Sequence, residues 1–227
     1  MCSMQWVIMM SRHPLNSNLH LYHGCTYQGM PIQADKGPFI EEYLDLLNRT
    51  MQRALAEYPR VFAFRVDLRF PACRPIARHV SNGSSIRRFL ASFNAKIDHD
   101  RKISKALYGR AHACRVRYVW AREVAGSGCP HYHLVIFLNQ DAFFTLGRLT
   151  SGAENMFRRL EGAWASALGV SLGMVSGLIE IPIKPAYRVC RDDIDSQKEL
   201  FYRASYLCKS ATKNYGDPHH SFGASRL

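Results

Sequence analysis

Residues 130–139, PHYHLVIFLN, set two histidines one residue apart at the head of an apolar run. Side chains alternate across a strand, so His131 and His133 share a face with Val135 and Phe137, while Tyr132, Leu134 and Ile136 take the other. A strand apolar on both faces belongs in the middle of a sheet. The two imidazoles interrupt a surface otherwise suited to burial, and they converge on one spot.

The flanking stretches supply the rest of a fold. RVRYVWARE (115–123) reads as a strand, and VAGSGCP joins it to the histidine strand through a glycine-rich turn. In RVFAFRVDLRFP (60–71), Phe62, Phe64, Val66, Leu68 and Phe70 alternate with Ala63, Arg65, Asp67 and Arg69, and Pro71 ends the strand. Helical spacing runs through 38–58, bracketed by Pro38 and Pro59, and through 85–107 after a turn at SNGS. Downstream, DAFFTLGRL (141–149) and NMFRRLEGAWASALG (155–169) read as helical, GLIEIPI (177–183) as a fourth strand, and SQKELFYRASYLCKSATK (196–213) as a last helix.

The order β-α-β-β-α-β, with a helix before and a helix after, predicts an α+β fold. It is the split-βαβ pattern, palm-like in the manner of RNA-recognition and ferredoxin-like modules: a four-stranded antiparallel sheet with helices on one face and a C-terminal tyrosine-bearing helix. Strands one and three should pair in the middle, leaving the opposite face for a ligand or the last helix. No repeat or low-complexity tract divides the chain, so one domain is expected over 36–227, preceded by an N-terminal extension over 1–35.

With 227 residues, 47% of them hydrophobic, the chain can build a core without staples. Seven cysteines, odd in number and never spaced CxxC, read as reduced thiols. The first residues lack the features of a secretory signal, and no run approaches the roughly 18 apolar residues of a membrane span. A cytoplasmic protein with no membrane association is expected. The net charge of +12 favours polyanionic partners, nucleic acid above all.

A hairpin folded about Ser127 would set Glu123 directly across from His131, on the same face. Two imidazoles and a carboxylate suit a divalent metal ion. The pattern does not fit a cupin, because Ile136, Phe137 and Leu138 fill the places where a glutamate would stand. It also lacks the Asp-His pair of binuclear zinc hydrolases. On the last helix, Tyr202 and Tyr206 lie four residues apart with Lys209 one turn later, so their side chains should point the same way. A phenol near pKa of about 10 needs a base, a cation or a polarised electrophile to act as a nucleophile.

Together, His-x-His on a central strand and Tyr-x-x-x-Tyr-x-x-Lys on a following helix, in a basic chain, resemble the HUH endonucleases, which include rolling-circle replication initiators. More narrowly, EYPRVFAFRVDLRFP, RYVWAREVAGSGCPHYHLVIFLN, FYRASYLCKSATK and FGASR resemble the YagK/YfjJ family, related to the gene-two replication proteins of filamentous phages. The resemblance implies a metal pair at His131 and His133, a nucleophile at Tyr206 or Tyr202, and a helix lysine at Lys209. The third ligand is Glu123 by hairpin geometry, with Asp67 on the neighbouring strand as its competitor. The implied activity is nicking and rejoining of single-stranded DNA, or of an origin hairpin, with Mg²⁺ or Mn²⁺, through a 5′-phosphotyrosine link. Such an initiator serves a phage or other mobile element. The chain has no GxxxxGK[ST] motif, so unwinding and synthesis would fall to a host helicase and polymerase.

Arg65, Arg69, Arg122 and Lys213 are the expected DNA contacts, aided by basic residues in CRPIARH, SIRRF and FRRLEG, with Tyr118, Trp120 or Tyr132 stacking on bases. His219 and His220 read as surface residues. Two other readings stay open: a noncatalytic DNA-binding regulator that keeps the sheet, and a metal-dependent hydrolase that uses water and leaves no adduct.

Overall fold

The structure is a computed structural model describing residues 11–71, 84–124, 130–148, 154–213 and 220–226. In chain order, β1 (Ser11–His13), β2 (Asn16–Tyr22) and β5 (Phe39–Ile40) form a small antiparallel sheet, and β3 (Thr26–Tyr27) pairs with β4 (Met30–Pro31). There follow α1 (Glu41–Glu57), β6 (Arg60–Arg69), α2 (Ser84–Tyr108), β7 (Arg117–Val124), β8 (Pro130–Asn139) and α3 (Met156–Leu168). The described chain closes with β9 (Ile179–Glu180), β10 (Ala186–Cys190), α4 (Ile194–Ser205) and β11 (Phe222–Ala224).

The main sheet runs β10-β6-β8-β7-β11, with β9 also on β6, and its pairs are antiparallel. The α+β class holds, and β6 and β8 are the central pair that the split-βαβ order predicts. Phe62, Phe64, Val66 and Leu68 of β6 join Tyr132, Leu134 and Ile136 of β8 on one face, where α2 and α3 cover them with Phe89, Phe93, Leu160 and Trp164. Val135 and Phe137 face the other way, onto Leu47 and Met51 of α1 and Leu200 and Phe201 of α4. The last helix takes the second face, one of the two occupants expected there, and only the presence of α1 beside it corrects the expectation of helices on one face. The sheet's second face is apolar over most of its area, and both the last helix and α1 close it. Tyr27, Met30 and Ile32 are buried in this second core, so the segment expected as an extension packs into the domain from there on.

Three local readings change. DAFFTLGRL is no helix over its described part, because Asn139 takes the amide of Asp141 on its side chain and those of Ala142 and Phe143 on its carbonyl, making a turn. GLIEIPI keeps only Ile179–Glu180 as strand. Pro182 and Pro185 interrupt the ladder, and pairing with β6 resumes at β10 in the unforeseen stretch AYRVC. The last helix stops at Ser205, whose hydroxyl donates to the Tyr202 carbonyl, and Tyr206–Cys208 form a 3-10 turn. Lys209 is then extended, bridging to Phe39, and Ser210 donates to the Pro38 carbonyl.

FGASR, read from the sequence without a structure, supplies β11 on the free edge of β7. Gly223 fits there because a Cβ would stand 2.7 Å from the Trp120 ring. No described helix is long and apolar enough to cross a membrane.

Cys25, Cys114, Cys190 and Cys208 are free thiols; Cys2, Cys73 and Cys129 lie outside the described residues. Burial pushes the Cys114 thiol up to about 11 and raises Cys208 as well, so both stay protonated at pH near 8. Alkylation of the native protein with iodoacetamide, followed by peptide mapping, should modify the exposed Cys25 and spare Cys114 and Cys208. Phe137→Ala should lower stability by about 3–5 kcal/mol in urea unfolding, as expected for a fully buried ring.

Candidate metal centre

The strand register assembles the site. Glu123 on β7 lies opposite His131 on β8, and Asp67 on β6 lies opposite His133. Alternation brings all four side chains to the face of α1 and α4, at the end where the apolar lining gives out. Nε2 of His133 stands 3.3 Å from Glu123 Oε2, and Nε2 of His131 stands 3.8 Å from the same oxygen. The two imidazoles meet edge to face with centroids 4.7 Å apart. One ligand atom from each of Glu123, His131 and His133 lies within 4.8 Å of the others, and this cluster can hold a metal ion.

The donor chemistry fits such an ion. Asp67 Oδ1 sits 2.7 Å from His133 Nδ1, which leaves Nε2 to face the cluster. Of the two carboxylates considered as third ligand, Glu123 therefore shares the cluster, while Asp67 stands behind His133. Arg65 is 3.9 Å from the same Asp67 oxygen, the alternative partner for Asp67 on its own strand. Burial raises the Glu123 carboxyl, but His133 and Lys213 more than offset it and hold the group well below the usual carboxylate range. Burial also works to lower His133, yet Asp67 and Glu123 on its two nitrogens leave it raised. His131, more exposed, is lowered by burial and by its histidine neighbour.

The segment after α4 closes over this cluster. Lys209 Nζ lies 3.4 Å from Glu123 Oε2 and Lys213 Nζ 3.3 Å from Oε1, and the Lys213 side chain has no solvent exposure. Burial lowers the Lys213 pKa, with Glu123 opposing. The Tyr206 ring stands 6.0 Å from the His133 ring, nearly perpendicular to it, with the Lys209 ammonium 3.6 Å and the Arg65 guanidinium 5.6 Å from its centroid. Tyr202, one helical turn earlier, is 41% exposed.

Other expected contacts are distributed differently. Arg65, Arg122 and Lys213 are buried rather than displayed, and Arg122 lies on the opposite face of β7 from Glu123 by strand alternation. Arg69 donates through Nε to Glu180 at 2.8 Å. Tyr132 has no exposed surface, whereas Tyr118 and Trp120 are half-buried beside Arg87 in an open groove. In SIRRF, Arg87 and Arg88 are exposed; in FRRLEG, Arg158 pairs with Glu161 and Arg159 with Asp100. CRPIARH and His219 lie outside the described residues, and His220 is exposed. Lys36 escaped the sequence reading. Its pKa is raised mainly by Asp35 at 2.8 Å and to a smaller extent by the Tyr206 and Tyr202 phenols. No motif pointed to it.

The family model of the YagK/YfjJ C-terminal domain matches residues 23–225, and the chain belongs to this family. It is 31% identical over 216 residues to the Escherichia coli K12 protein named "Uncharacterized protein YagK", covering 89% of this chain and 98% of that one. It is 28% identical over 207 residues to "Uncharacterized protein YfjJ" of the same strain, covering 87% and 100%. No solved structure matches the chain.

A Mn²⁺ titration followed by electron paramagnetic resonance should show one site. That site should be lost in His131→Ala and His133→Ala, and retained in Asp67→Asn with affinity about 10–100-fold lower. Equal loss in Asp67→Asn would make Asp67 a ligand in its own right.

Proposed function

We propose that the protein nicks and rejoins single-stranded DNA as an HUH-type replication initiator of a phage or other mobile element. The observation that carries this reading is the approach of the Tyr206 ring to His133 beside the Glu123–His131–His133 cluster. A divalent cation, Mg²⁺ or Mn²⁺, held by these three residues would supply Lewis-acid polarisation of a scissile phosphate and a template for its orientation.

Tyr206 is the nucleophile in this scheme. Its phenolic oxygen bonds to phosphorus and loses its proton, while the bond from phosphorus to the 3′ oxygen breaks and that oxygen gains a proton. The products are a 5′-phosphotyrosine and a free 3′-OH that a host polymerase can extend. Lys209, with its ammonium over the Tyr206 ring, sets a positive charge beside the phenol where a phosphate would dock. Tyr202, exposed on the last helix one turn before Tyr206, would make the return attack that rejoins the strand. The net charge of +12 supports retention of DNA.

Incubation with labelled circular single-stranded DNA and Mn²⁺ should leave label on the protein in a denaturing gel. The band should vanish in Tyr206→Phe and with EDTA. Cleavage without an adduct would assign a hydrolase, and binding with neither would assign a regulator.

A further inference from the structure

Glu123 is saturated before any metal ion arrives. Lys209 contacts one carboxylate oxygen and Lys213 the other, at 3.4 and 3.3 Å, and neither ammonium group has appreciable contact with solvent. Around the histidine pair, the carboxylates Glu123 and Asp67 face the cations Lys209, Lys213 and Arg65, an excess of one positive charge with both imidazoles neutral. Arg69 and Glu180 beside them cancel each other. A divalent cation entering alone would bring two more positive charges into a buried, already positive cluster.

Lys209 also occupies the tyrosine side of the cluster. Lys209 Nζ touches both the Glu123 carboxylate and the Tyr206 ring, so it bridges the metal ligands and the phenol. Both lysines belong to the short segment that follows Tyr206; an anion brought to that phenol meets Lys209 first, and Lys213 is the fully buried partner of the other Glu123 oxygen.

Resting on the proposed metal and tyrosine roles, we infer that Lys209 and Lys213 are resident counter-cations of Glu123, so that the divalent cation and a phosphodiester enter together, each strengthening the other. The phosphate takes over the two ammonium groups, and Glu123 is released to the metal. By linkage, the cation and the phosphodiester raise each other's affinity by the same factor.

The test is Mn²⁺ affinity of the full chain, read by paramagnetic resonance, with and without saturating thymidine dinucleotide, and with its uncharged methylphosphonate analogue as the control. The phosphodiester should tighten Mn²⁺ binding by about tenfold or more, and the neutral analogue should not. Lys213→Met should tighten Mn²⁺ binding in the absence of dinucleotide and shrink the coupling. Lys209→Met provides a second variant should Lys213→Met fail to fold, as judged by circular dichroism. Equal Mn²⁺ affinity with and without the phosphodiester, or weaker Mn²⁺ binding in both folded variants, would overturn the inference, and absence of Mn²⁺ binding under all conditions would overturn it together with the metal site. Coupling without a covalent adduct would leave the inference standing and remove the nickase; an adduct without coupling would do the reverse.

Discussion

The antiparallel register of β6, β8 and β7 is the constraint from which the site follows. It sets Asp67 against His133 and Glu123 against His131, so four polar side chains from three strands arrive on one face without any loop to position them. A slip of one residue would turn the imidazoles toward Trp164 and the first core and send Tyr132 to the site. Register is pinned by apolar residues on both faces, since Val135 and Phe137 must meet α1 and α4 while Leu134 and Ile136 meet α2 and α3. Packing on two sides thus supplies the rigidity that a metal centre needs.

Closing the second face has a chemical consequence. An open sheet would leave Glu123 and the histidines in water, whereas α4 and the segment after it bury the carboxylate and force it to find partners. Those partners are the His133 imidazole and the ammonium groups of Lys209 and Lys213. Removing one member of such a buried set costs about 3–5 kcal/mol in general, because the remaining charge stays dry. The site therefore contributes to stability as well as to chemistry, and substitutions in it must be checked for folding before activity is read.

Much of this was legible in residue patterns. The period-two alternation of 60–70, the strand pattern of 115–123 and the two-faced apolar run of 131–138 identified the three central strands, and a symmetric hairpin sufficed to bring Glu123 to His131. Asp67 stood out as an acid on the polar side of its strand, but only the pairing partner of β6 shows that it backs His133. What stayed hidden depends on contacts distant in sequence. The halt of the last helix after Ser205 follows from ties to Pro38 and Phe39, and that halt turns Lys209 and Lys213 toward Glu123 instead of leaving them on a solvated helical face. The strands β10 and β11 are short and carry weak alternation, so their assignment awaits the edges they pair with.

The family membership and the geometry meet at one question: whether the Glu123–His131–His133 cluster takes a cation beside Tyr206. Anomalous diffraction at the manganese edge, from crystals grown with Mn²⁺ and a thymidine dinucleotide, answers it directly. The account predicts a peak bounded by Nε2 of His131, Nε2 of His133 and the Glu123 carboxylate, with Lys209 and Lys213 moved onto the phosphate. Glu123 still held by both lysines, with manganese absent from the histidine pair or bound elsewhere, would contradict it.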